Sequence, residues 1–71
     1  MIQLNQKENI VLKLMIRGEK YYSKDILEML RYQHEPIIST DLPWEVRGIL
    51  RSLEEHGRLF YDEEYGSYSL T

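Results

Sequence analysis

The sequence predicts a small α+β fold: three helices followed by a short antiparallel hairpin. Three observations predict it. Apolar residues recur at helical spacing in three separate stretches, within residues 10–15, 26–30 and 46–53. Gly18, Pro36 and Gly57 punctuate those stretches. Two short runs, Leu59-Phe60-Tyr61 and Ser67-Tyr68-Ser69-Leu70, then flank a polar loop that contains Gly66. With 71 residues the chain reads as one domain, near the size at which a single core is barely sufficient.

The first helix is expected over residues 6–17. Asn5 with Glu8 three positions later is a capping-box pattern, in which each side chain satisfies a free backbone N–H of the other. Ile10, Val11, Leu14 and Met15 form its apolar stripe, and Gly18 is its natural stop. Lys20-Tyr21-Tyr22 reads as a very short strand, because paired aromatics favour extended chain. Ser23 is the expected cap of a second helix that buries Ile26, Leu27 and Leu30 and ends near Gln33, ahead of Pro36. Residues 34–40 form a connection longer than a tight helix-turn-helix turn, pinned to the core by Ile37 and Ile38. Asp41 is the expected cap of the third helix. Pro43 falls in its first turn, where a missing N–H costs nothing, and Gly57 ends it after His56. In the last strand Tyr68 and Leu70 alternate with two serines, which predicts a buried and a wet face, and Gly66 supplies the positive φ of the hairpin loop. The expected core is Ile10, Val11, Leu14, Tyr22, Ile26, Leu27, Leu30, Val46, Ile49, Leu50, Leu53, Leu59 and Leu70.

Composition narrows the function. There is no cysteine, which excludes disulfides and thiolate metal sites. No apolar run approaches membrane-spanning length, and the opening residues 1–5 show no basic and apolar leader pattern, so a cytoplasmic protein is expected. His34 and His56 lack a third ligand at metal spacing and read as surface residues. Asp62-Glu63-Glu64 lacks the spaced ligands of a calcium loop. No phosphate-binding glycine loop or nucleophile elbow occurs, so neither an enzyme nor a cofactor is expected. The net charge of −3 is unevenly spread. Residues 1–33 carry six basic and four acidic side chains, whereas residues 34–71 carry three basic and eight acidic.

The order helix, short strand, helix, helix, hairpin resembles the winged helix-turn-helix superfamily of bacterial transcription regulators. The nearest local likeness is Val46-Arg47-Gly48-Ile49-Leu50-Arg51-Ser52-Leu53-Glu54-Glu55-His56-Gly57-Arg58-Leu59, with Tyr68-Ser69-Leu70-Thr71 after it. Residues 18–30 also resemble the family's strand and second helix. The resemblance implies a recognition helix whose outer side enters the major groove of double-stranded DNA. At about 100° per residue, Val46, Ile49, Leu50 and Leu53 point inward, and Trp44, Gly48, Arg51 and Glu55 point outward with Arg47 and Ser52 on the flanks. Trp44, Arg47, Gly48, Arg51 and Ser52 therefore occupy the positions that the family uses on DNA. Lys24 and Arg31 of the second helix are candidate phosphate contacts, along with Lys7 and Lys13. A homodimer is expected of so small a module.

Other readings of the same residues stand beside this one. Arg47 and Arg51 could instead pair with Glu54 or Glu55 at helical spacing. Trp44 could be a lid over Ile37 and Ile38. The acidic wing, Asp62-Glu63-Glu64, and the acids Glu45 and Glu55 depart from the family's basic pattern. They favour an alternative: a winged helix that binds a basic protein partner and not DNA, anchored by Trp44.

Overall fold

The computed structural model describes residues 3–71; Met1 and Ile2, part of the stretch read for a leader pattern, lie outside it. Three helices, α1 (Gln6–Leu14), α2 (Ser23–Tyr32) and α3 (Pro43–Glu55), precede strands β1 (Leu59–Asp62) and β2 (Ser67–Leu70). This is the small α+β fold expected, with a layout consistent with a winged helix. The strands pair antiparallel in the register Leu59↔Leu70, Phe60↔Ser69, Tyr61↔Tyr68 and Asp62↔Ser67. Tyr21 adds a single bridge to the outer edge of β2, through Tyr21 N–H to the Tyr68 carbonyl at 2.8 Å and the reverse bond at 2.7 Å. The short strand read at residues 20–22 is thus one bridge long.

Helix α3 is the hub, packing on α1, α2 and β1. Its apolar stripe, Val46, Ile49, Leu50 and Leu53, is buried as its spacing predicts. Val11, Ile26, Leu30 and Leu59 complete the expected part of the buried core. Ile10, Leu14, Leu27 and Leu70 are half-buried against it. Two core residues lie outside the expected set, Met15 and Ile38, and one expected member, Tyr22, is exposed. Tyr21 takes the inner place. It packs against the core, and its hydroxyl accepts the Ile16 N–H at 2.9 Å. Ile38 pins the connection as expected, whereas Ile37 faces solvent.

The helix ends show where local reading holds. The Asn5–Glu8 capping box is present in full, with Glu8 N–H donating to Asn5 Oδ1 at 2.8 Å and Asn5 N–H to Glu8 Oε1 at 2.9 Å. Helix α1 stops at Leu14, one turn before the expected end, because Met15 turns extended (φ −88°, ψ 137°) and inserts its side chain into the core. Ile16 N–H then bonds Tyr21 and not the helix. Gly18 (φ +93°) serves the turn beyond. Ser23 is the first residue inside α2, and the cap position is Tyr22, whose N–H is taken by Asp25 Oδ2 at 2.8 Å. Leu42, not Asp41, is the residue at the N-cap of α3, with Pro43 in the first turn. On β2 the expected alternation is not seen: Ser67 is buried, lining a recess with Lys20, Tyr22 and Tyr65, and Tyr68, Ser69 and Leu70 are all half-buried.

Candidate nucleic-acid interface

Inward packing of Val46, Ile49, Leu50 and Leu53 forces the opposite side of α3 into solvent. Trp44 stands there 63% exposed, so it is not a lid over the connection. Gly48 and Arg51 continue the same outward ridge, and Arg47 flanks it. A Cβ built on Gly48 would meet nothing within 4 Å, so no packing requirement explains a glycine there. Among the described residues neither Arg47 nor Arg51 forms an ion pair, so the pairing with Glu54 or Glu55 that spacing allows is not made.

The ridge forms one wall of an open groove of roughly 700 Å³ between α3 and the hairpin. Trp44, Arg47, Gly48 and Arg51 line the helix side, while Tyr61 and Tyr68 line the strand side. The two tyrosine rings pack with centroids 4.8 Å apart and planes tilted by 43°. Glu54 and Glu63 also face the groove. Burial, then the neighbouring Tyr61 and Glu54, pushes the Tyr68 phenol above its ordinary value against the opposing pull of Arg51. It stays protonated at neutral pH, a hydrogen-bond donor on the groove wall. A smaller crevice adjoins, where Ser23 and Lys24 at the start of α2 meet Pro43, Val46 and Arg47 of α3. Lys24 thus lines a crevice with Arg47, while its ammonium stands 5.9 Å from the centre of the Tyr22 ring.

Two residues expected at this surface lie elsewhere. Ser52 faces α1, where its hydroxyl donates to Glu8 Oε2 at 2.8 Å, because the α3 flank it occupies is the one α1 packs on. Arg31 is spent on architecture. Its guanidinium donates to the Thr40 carbonyl at 2.9 Å and braces the long connection. Glu45, expected beside the reading face, is drawn toward α1 by an ion pair with Lys7, which lowers the Glu45 pKa chiefly by that hydrogen bond. Lys7 is thereby committed as well.

Sequence reasoning missed a buried polar cluster between α1 and α3. Glu8, only 3% exposed, receives Asn5 N–H and the Ser52 hydroxyl, and His56 Nδ1 lies 3.3 Å from its Oε2, off the hydrogen-bond line. His56 is therefore half-buried and not a plain surface residue. Its spacing from Ser52, one helical turn, carried the signal that both face α1. The Asn5 N–H, then Ser52 and His56, hold the Glu8 pKa below its ordinary value against the opposing effect of burial. The serine donates to the carboxylate and not to the imidazole, so the three residues make a structural clamp and not a nucleophilic triad.

Among the described residues no group of three metal-ligating side chains converges, and no helix is long and apolar enough to cross a membrane. No family model, curated protein or solved structure matches the chain.

Proposed function

We propose that this chain is a small winged-helix DNA-binding protein that acts in the cytoplasm as a transcription regulator, with α3 entering the major groove of double-stranded DNA. The observation that carries the reading is the unpaired outward ridge of α3. Trp44, Gly48 and Arg51 run along it, Arg47 flanks it, and Lys24 stands across the adjoining crevice. Arg51 can offer two donors to a guanine edge, Arg47 and Lys24 suit phosphates, and Gly48 lets backbone approach backbone. The ion pair that draws Glu45 to Lys7 removes one of the acids that would oppose a phosphate strand.

The test is a titration of duplex DNA at several salt concentrations. Affinity is expected to fall steeply with salt, and Arg47→Ala is expected to flatten the logarithmic slope by about one unit, as removing one phosphate contact does. Absence of duplex binding at low salt rejects the reading. Glu54 and Glu63 in the same groove support a second reading, in which a basic protein segment docks there against Trp44. Under that reading Trp44→Ala abolishes capture of a partner and duplex DNA is not bound. Paired action as a homodimer fits the DNA reading, since one module of this size covers only about one half-site.

A further inference from the structure

The groove beside α3 has its two arginines on the helix side, and its strand side is aromatic where an uninterrupted duplex would need further cations. Tyr61 and Tyr68 line its strand side as a packed pair, Trp44 stands on its rim, and Glu54 and Glu63 face into it. At the wing, the hairpin turn spends Asp62 on itself, with Asp62 Oδ1 accepting from Glu64 N–H at 3.0 Å. The side chains of Glu63, which faces the groove, and of Glu64, the next residue of the turn, are left exposed. A continuous duplex laid across this wing would bring the phosphates of two strands to those carboxylates, with a charge every 1.7 Å or so of helix axis. A single strand carries half that density and can turn. Its uncharged bases can face the aromatic wall while its phosphates face Arg47 and Lys24. Base amino groups are donors, and carboxylates such as Glu54 and Glu63 accept from them. Aromatic side chains interleaved with arginines are what stack and hold unpaired bases.

We propose that the groove between α3 and the hairpin takes an unpaired nucleotide, so that the DNA recognised is a duplex carrying an unpaired extension and not an uninterrupted duplex. The inference rests on the DNA-binding reading above and specifies its ligand. Gly48 and Arg51 of the helix ridge engage the paired part, and the aromatic groove, with Trp44 on its rim, engages the first unpaired base.

The experiment compares two labelled ligands by fluorescence anisotropy: a blunt duplex, and the same duplex with a short unpaired DNA extension. The extended duplex is expected to bind about tenfold tighter, the effect of one stacked base. Emission of the single tryptophan, on the groove rim, is expected to be quenched more by the extended ligand. Tyr61→Leu removes a stacking surface and is expected to bring the ratio of the two affinities to within about threefold of unity. Phe60→Leu changes the opposite face of the same strand and leaves the ratio at the wild-type value. Circular dichroism establishes that both variants are folded. If Tyr61→Leu does not fold, Trp44→Leu, at an exposed position, takes its place with the same expected loss of preference. Equal affinity for the two ligands, or a preference that survives these changes, overturns the proposal and leaves duplex binding standing. Failure of both ligands to bind overturns it together with the DNA reading.

Discussion

At the scale of single residues, Glu8 and Gly48 separate structure from function. Glu8 is almost wholly buried, yet its carboxylate has three polar neighbours that favour the charged form. A carboxyl whose folded pKa is depressed stabilises the fold fully above the ordinary value, and that contribution drains away as pH falls through the folded value. Glu8→Gln is therefore expected to cost about 1–3 kcal/mol at neutral pH, the range for a charged hydrogen-bonding partner lost in a buried site. The gap between variant and wild type is expected to narrow in denaturant titrations below about pH 4, beneath the ordinary glutamate value. An unchanged gap at low pH would show that shape and not charge makes the clamp. The capping role of Glu8 is legible in the sequence because it depends on a spacing of three residues. Its link to Ser52 is not, since those residues lie 44 apart and meet only through helix packing. Gly48 presents the converse case. Added methyl carbon there meets open space, and a mid-helix glycine costs about 1 kcal/mol relative to alanine. Gly48→Ala is expected to raise the melting temperature by roughly 4–8 °C. It is also expected to weaken duplex binding, if bare backbone at this point is what admits the ligand. A stabilised variant with undiminished affinity would remove Gly48 from the interface.

At the scale of elements, the helix ends set where the ridge and the wing fall. Helices α2 and α3 finish with the same geometry. After α2, His34 N–H bonds the Arg31 carbonyl and Glu35 N–H the Leu30 carbonyl, each at 3.1–3.2 Å; after α3, Gly57 N–H bonds Glu54 and Arg58 N–H bonds Leu53, both at 2.9 Å. These are Schellman closures, and each needs one residue in the left-handed region. Gly57 occupies it at φ +74° without strain, whereas His34 occupies it at φ 53° with a Cβ. His34→Gly is thus expected to stabilise the chain, and Gly57→Ala to destabilise it, each by about 1 kcal/mol as read in denaturant midpoints. Equal responses in sign would refute the pairing of the two ends. The glycine made the end of α3 readable from sequence, and Pro36 bounded α2. The end of α1 was not readable, because Gly18 resembles a stop while the true departure at Met15 goes with a side-chain bond from Ile16 N–H to the Tyr21 hydroxyl and a place for Met15 in the core, neither of which helical spacing encodes. The two strands of the hairpin were legible, with β1 one residue longer than expected, but their burial was not. Ser67 is buried beside Lys20, Tyr22 and Tyr65, residues outside the strand, and no period-two pattern within β2 encodes that neighbourhood.

At the scale of the whole molecule, the core includes a residue of the connection between α2 and α3, as the sequence led one to expect of Ile38. A domain of this length holds roughly 4–10 kcal/mol of stability, at about 0.05–0.15 kcal/mol per residue. Among the described residues its buried apolar side chains come from α1, α2, α3 and β1, from Met15 just past α1, and from one residue of the connection, Ile38, which is 2% exposed. The connection needs such an anchor, because α2 and α3 must be held at a fixed offset for Lys24 to stand across from Arg47. Arg31 adds a second tie through the Thr40 carbonyl, and Glu35 a third by accepting the Ile37 N–H at 3.1 Å. Truncating a buried isoleucine to alanine costs about 2–5 kcal/mol, a large share of the total. Ile38→Ala is therefore expected to lower the melting temperature by roughly 8–40 °C, at about 4–8 °C per kcal/mol for a domain of this size. Ile37→Ala, one position earlier and facing solvent, is expected to change it by less than about 4 °C, within the ±0.5 kcal/mol usual for surface sites. Thermal unfolding followed by circular dichroism distinguishes them. Similar small shifts in both variants would mean that the connection is a tether and not part of the core, and the offset between the second and third helices would then rest on their direct packing alone.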